Sequence, residues 1–124
     1  MPHPPVIAVV DDDESMREAL SELLSALKLP CRAFDGAEAF LAAYEPGLFG
    51  CLITDIRMPG ISGLELQQKL KSLGSTMPII VVTSSTDTPI RARMLEDGAV
   101  AYLSKPVKDE TLIYHLSVAF ARDQ

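Results

Sequence analysis

Short apolar runs alternate along this chain with longer stretches in which apolar residues return every three or four positions. Val6-Ile7-Ala8-Val9-Val10 is continuous and β-branched, the pattern of a strand covered on both faces. Cys31-Arg32-Ala33-Phe34, Cys51-Leu52-Ile53, Ile79-Ile80-Val81-Val82 and Val100-Ala101-Tyr102-Leu103 read as four more strands. Between the first two, Met16, Leu20, Leu23, Leu24 and Leu27 share one helical face, with Ser15 and Glu18 as a candidate capping box and Pro30 as the stop. A second box, Asp35 with Glu38, predicts a helix through Tyr44 that Pro46-Gly47 ends. Ser62 with Glu65 opens a third helix, whose Leu66, Leu70 and Leu73 face inward before Gly74. Thr88-Pro89 starts a fourth with Pro at its first position, closed by Gly98. A fifth runs from about Lys108 to Ala121, with Leu112, Ile113, Leu116 and Phe120 apolar.

Five strands alternating with five helices predict an α/β domain: a parallel sheet with helices on both faces, since right-handed crossovers leave little else. No internal repeat or linker interrupts the alternation, so residues 1–124 read as a single domain. Met1–Pro5, with three prolines and His3, reads as a lead-in, and His3 as a solvated residue rather than a ligand.

Composition narrows the function classes. The chain is 48% hydrophobic and only 6% aromatic, without Trp, so its core is aliphatic. A net charge of -6 disfavours direct nucleic-acid binding, which needs clustered Lys and Arg against phosphates. The apolar run at Val6–Val10 is too short to cross a bilayer and follows no basic segment, so a cytoplasmic, membrane-free protein is expected. Cys31 and Cys51 each open an apparent core strand and read as two buried thiols.

The chemistry-bearing residues stand where strands end. In a parallel sheet these ends share one edge, the place where open α/β folds handle ligands. Asp11-Asp12, Asp55, Thr83 and Lys105 all fall there, whereas Asp35 is accounted for by its capping box. Acids after the first strand suit a helix N-terminus, a role that Asp13 and Glu14 can keep. A third carboxylate converging from a neighbouring strand is a different matter. Two like charges about 4 Å apart cost roughly 4 kcal/mol at an effective dielectric near 20. Three call for a cation or raised pKa values. Carboxylates, a backbone carbonyl and waters suit Mg²⁺ or Mn²⁺, and the Cys and His ligands of Zn²⁺ are missing from the cluster. Asp55 then reads as a carboxylate nucleophile facing a phosphoryl donor. The metal, the Lys105 ammonium and the Thr83 hydroxyl or a backbone N–H can each take one phosphoryl oxygen.

Val9-Val10-Asp11-Asp12, Asp55-Ile56-Arg57-Met58-Pro59-Gly60, Val82-Thr83 and Tyr102-Leu103-Ser104-Lys105-Pro106 together resemble the receiver domain of bacterial two-component response regulators, over essentially the whole chain. That resemblance implies a flavodoxin-like fold with strand order 2-1-3-4-5. It implies Asp55 as phosphoacceptor, Asp12 as a direct Mg²⁺ ligand, Asp11 acting through water, and Arg57 contributing its backbone carbonyl. Lys105 would pair with the phosphoryl group, Lys105-Pro106 would be a cis peptide, and Thr83 and Tyr102 would form a switch pair. Three positions depart from the family's usual wording: Ser84, Asp97 before Gly98, and Asp13 beside the metal site.

The same resemblance implies a sensor histidine kinase as phosphodonor and no catalysis beyond the domain's own phosphorylation and dephosphorylation. Phosphorylation would change the face made by the fourth helix, fifth strand and fifth helix, and so permit a homodimer. Ile90, Met94, Tyr114 and Val118 are candidates for that output surface or for the core, and His115 reads as a surface residue. The wording Ile56 to Gly63 resembles the FixJ/LuxR-type subclass, in which a DNA-binding effector follows the receiver and the output is transcription. This sequence would then be a stand-alone receiver or the N-terminal part of such a regulator. Two rival readings are a phosphatase with an Asp nucleophile and a metal-free scaffold. The first needs an acid two residues after Asp55, where Arg57 stands; the second would lack part of the acid–Thr–Lys set.

Overall fold

The structure, a computed structural model, describes residues 6–122, so His3 and the lead-in Met1–Pro5 lie outside the described residues. In chain order its elements are β1 (Val6–Val10), α1 (Glu14–Ala26), β2 (Cys31–Phe34), α2 (Ala37–Ala43) and β3 (Phe49–Thr54). Then come α3 (Gly63–Ser72), β4 (Ile79–Thr83), α4 (Thr88–Glu96), β5 (Ala101–Ser104) and α5 (Asp109–Arg122). All strand pairs are parallel, in the order β2-β1-β3-β4-β5 that the resemblance implies.

Successive residues of a strand face opposite ways, so each central strand feeds two cores. Ala8, Val10, Leu52 and Val81 pack with Phe40 of α2, Leu66 and Leu70 of α3 and Met94 of α4. Ile7, Val9, Ile53, Ile80 and Val82 pack with Leu20 and Leu24 of α1 and Leu112, Leu116 and Ala119 of α5. Both layers are closed to solvent, which is why these strands read as continuous apolar runs. Cys31 and Cys51 stay thiols. Both are in register with Ile7, one on each neighbouring strand, hence about 9.5 Å apart and beyond disulfide reach.

Several local expectations are corrected. The cap of α1 is Asp13, whose carboxylate accepts the Ser15 and Met16 amides, and Ser15 lies inside the first turn. The expected Asp35–Glu38 box does not form: Gly36, with no side chain to offer, stands at the N-cap of α2, and the Glu38 carboxylate accepts the Ile61 amide instead. The Ser62–Glu65 box at α3 is present in full. Asp87 caps α4, which makes Pro89 its second residue, not its first. Leu73 is 60% exposed because it caps α3 where the chain turns at Gly74, and Leu27 and Ile113 are also turned to solvent. β3 is longer at both ends than its apolar run, since Phe49 and Thr54 pair with Val6 and Val10. Of the candidate output residues, Met94 belongs to the core, Ile90 and Val118 are half-buried and Tyr114 is exposed. His115 is half-buried, with its ring 5.1 Å from that of Tyr114.

Candidate functional site

The ladder of the sheet delivers the acids. The Asp11 amide donates to Phe34 O of β2 and the Asp55 amide to Val10 O of β1, so each acid is the next rung beyond its own strand. Asp11 and Asp55 are buried, whereas Asp12 is exposed at the opening. Oxygen atoms from Asp11, Asp12 and Asp55 lie within 4.8 Å of one another. Lys105 follows β5, its amide donating to Thr83 O and its bond to Pro106 cis. Its ammonium reaches across the edge to Asp55 Oδ2 at 2.9 Å and Asp11 Oδ2 at 2.9 Å. The sequence expectation had Lys105 waiting for a phosphoryl group. In this structure it bridges the two buried carboxylates.

The remaining oxygens are also held. Asp55 Oδ1 accepts the Ile56 amide at 2.6 Å, and Asp11 Oδ1 accepts the Asp13 amide at 3.0 Å. The Thr54 hydroxyl donates to Asp55 O, and Arg17 of α1 donates to Asp11 O. Gly63 packs so closely that a Cβ there would overlap Asp55 O, which explains a glycine at the first position of α3. Burial pushes the Asp11 carboxyl up, against the pull of the Asp13 amide and the Lys105 charge. Burial alone would lower Lys105, but its two carboxylate partners together outweigh this and hold its pKa above the ordinary lysine value.

Thr83 is buried at the end of β4, and its hydroxyl oxygen accepts the Ser85 amide at 3.1 Å. The Tyr102 hydroxyl donates to Ser85 O at 3.4 Å, while its ring lies beneath the Arg91 guanidinium of α4. Ser85 therefore joins the two residues expected to act as a switch pair. The Ser85–Thr83 and Arg17–Asp11 contacts are short-range, but the link from Ser85 to Tyr102 depends on the pairing of β4 with β5, which spacing does not encode. The Arg57 side chain is 72% exposed and comes within 3.9 Å of Asp87. Ser84 is exposed, and the charge of Asp13 is taken up by the first amides of α1.

An all-oxygen set of three clustered carboxylates fits a small hard divalent cation, and its donors are the wrong type for Zn²⁺. Three acids, a lysine and a buried threonine on one edge of a 2-1-3-4-5 sheet define the class. A family model described as the response regulator receiver domain matches residues 7–117, and the chain belongs to that family.

Its relatives narrow the class. Transcriptional regulatory protein FixJ of Bradyrhizobium diazoefficiens is 43% identical over 107 residues, covering 86% of this chain and 52% of that protein. Response regulator protein TodT of Pseudomonas putida is 40% identical over 108 residues, covering 87% of this chain and 48% of that protein. Among solved structures, FixJ-N superposes with a TM-score of 0.82 at 34% identity, covering 96% of this chain and 94% of its own. Response regulator StyR gives a TM-score of 0.88 at 38% identity, covering 94% of this chain and 59% of its own. This receiver domain is thus homologous to FixJ-like transcriptional response regulators. The chain spans about half the length of these curated relatives. No helix among the described residues is long and apolar enough to cross a membrane.

Proposed function

We propose that the domain is a phosphorylation-activated switch in which Asp55 takes a phosphoryl group from a sensor histidine kinase. The observation that carries this is the convergence of Asp11, Asp55 and Lys105, with both acids 2.9 Å from one ammonium at the mouth of the sheet edge. One Asp55 oxygen attacks phosphorus; the new O–P bond forms as the P–N bond of the phosphohistidine breaks, and its electron pair returns to the imidazole nitrogen. Asp12 and Asp55 would hold Mg²⁺ or Mn²⁺ directly, with Asp11 through water and Arg57 through its carbonyl. When bound, the ion supplies positive charge for the transferring oxygens. Lys105 leaves Asp55 Oδ2 to pair with another oxygen of the new group, keeping its position through Asp11.

Thr83 follows. Its hydroxyl turns from the Ser85 amide to donate to the phosphoryl group, which frees Ser85 and, through it, Tyr102. Taking such an equilibrium from 1:99 to 99:1 needs about 5.5 kcal/mol, within reach of a few charge-assisted hydrogen bonds. The face of α4, β5 and α5 then changes and pairs with a second copy. In the whole protein, working in the cytoplasm, this face would control a DNA-binding effector; the acidic receiver itself would not touch nucleic acid.

Incubation with phosphoramidate, with and without Mg²⁺, followed by intact mass tests the reading. It expects one added phosphoryl group that requires Mg²⁺ and is lost in Asp55→Asn. Mass unchanged in wild type, or gained equally by the variant, would refute it.

A further inference from the structure

The Glu38 side chain does not close the capping box expected at the start of α2. From the first turn of α2 its Oε1 accepts the Ile61 amide at 3.1 Å, 23 residues along the chain. Ile61 ends the loop that starts at Asp55. Among the described residues, this is the one hydrogen bond that ties the segment from Arg57 to Ile61 to the rest of the chain. Pro59 has no amide to offer, and Gly60, at φ +81, has the least conformational restraint of any residue type. The carboxylate also lies directly over Gly60, where an added Cβ would run into it. Glycine here answers two demands, a left-handed backbone and the close approach of Glu38.

We infer that Glu38 is a positioning residue for the phosphorylation loop. It fixes the far end of the segment that carries Arg57, so the loop does not have to be ordered when a cation binds. This rests on the function proposed above, since it matters to the chemistry only if Asp55 is phosphorylated with Arg57 beside it. An N–H donated to a carboxylate is a charge-assisted bond, and no acidic proton is involved, so an amide oxygen can replace it in kind if not in strength.

The test uses Glu38→Ala and Glu38→Gln in the folded domain. Amide hydrogen exchange at Ile61 is measured without metal, and amide shifts from Asp55 to Ile61 are followed through an Mg²⁺ titration. Glu38→Ala is expected to abolish Ile61 protection and to raise the Mg²⁺ midpoint about tenfold, the lower end of what outer-shell partners of metal ligands contribute. Glu38→Gln is expected to restore most of both. Wild-type protection and midpoint in Glu38→Ala would overturn the inference, as would Glu38→Gln behaving like Glu38→Ala. Neither readout uses phosphoryl transfer, so a wild-type protein that takes up no phosphate would refute the proposed function and leave these results to decide the role of Glu38.

Discussion

The Lys105 ammonium sits 2.9 Å from Asp55 Oδ2, a contact made across 50 residues of sequence. It makes the same approach to Asp11 Oδ2, so one cation serves two buried acids. In the absence of a metal this lysine is the countercharge that lets the acids share the site.

Lys105→Met should therefore destabilise the metal-free domain by about 2–3 kcal/mol at neutral pH, because truncating one partner leaves buried carboxylates uncompensated. Urea unfolding in chelator measures this. Added Mg²⁺ should raise the melting temperature of the variant more than that of wild type, since the ion supplies the missing charge. Equal stability of the two proteins in chelator would mean the ammonium contributes nothing.

Ser85 lies between Thr83 and Tyr102, its amide donating to the Thr83 hydroxyl oxygen and its carbonyl accepting from the Tyr102 hydroxyl. Thr83→Ala should weaken phosphate-dependent dimerisation about tenfold, the equivalent of one hydrogen bond to a charged group at about 1.5 kcal/mol. Sedimentation of phosphorylated samples reads the effect. Dimerisation at wild-type strength would remove Thr83 from the switch.

Asp97 binds α4 to α3. Gln68 donates to its carboxylate, and Lys71 and Arg93 approach it at 3.7 Å and 3.4 Å. The Gln68 hydrogen bond, with help from the two cations, holds its pKa below the ordinary value near 3.8. A lowered carboxyl stabilises the fold above the unfolded value and loses that contribution as pH falls through the folded one. The stability gap between wild type and Asp97→Ala should thus be constant from pH 7 to about pH 5 and close on acidification below the unfolded value. Thermal melts across that range check it, and a gap that widens in acid would contradict it.

Among the described residues, Lys28 is the non-glycine residue with positive φ, at 61°, where the chain leaves α1. Its amide donates to Ser25 O and that of Leu29 to Leu24 O, the pattern of a helix end that favours glycine. Lys28→Gly should stabilise the domain by about 0.5–1 kcal/mol, because a side chain in the left-handed region is strained. Urea titration gives the sign directly.

Much of this architecture can be read along the chain because β-branched runs and helical spacing report burial directly. Ile7–Val10 and Ile79–Val82 are buried on both faces, as continuous apolar strands require. The Ser62–Glu65 box was legible because both partners lie within one turn. The same pattern misled at Asp35–Glu38, since a short-range motif says nothing about a competing amide 23 residues away. Likewise Asp11, Asp12, Asp55 and Lys105 could be placed on one edge from topology. That Lys105 would bridge two of them depends on side-chain reach between β5 and the central strands, which spacing does not encode. The hold of Gln68 and Lys71 on Asp97 is a helix-to-helix contact of the same kind.

The proposed switch requires that Asp55, and no neighbouring acid, receives the phosphoryl group. Borohydride converts an aspartyl phosphate to homoserine, so reduction after Mg²⁺-dependent phosphorylation, followed by fragment mass spectrometry, locates the modified residue. Homoserine is expected at position 55 alone; homoserine at position 11 or 12, or at no position in a phosphorylated sample, would contradict Asp55 as the acceptor.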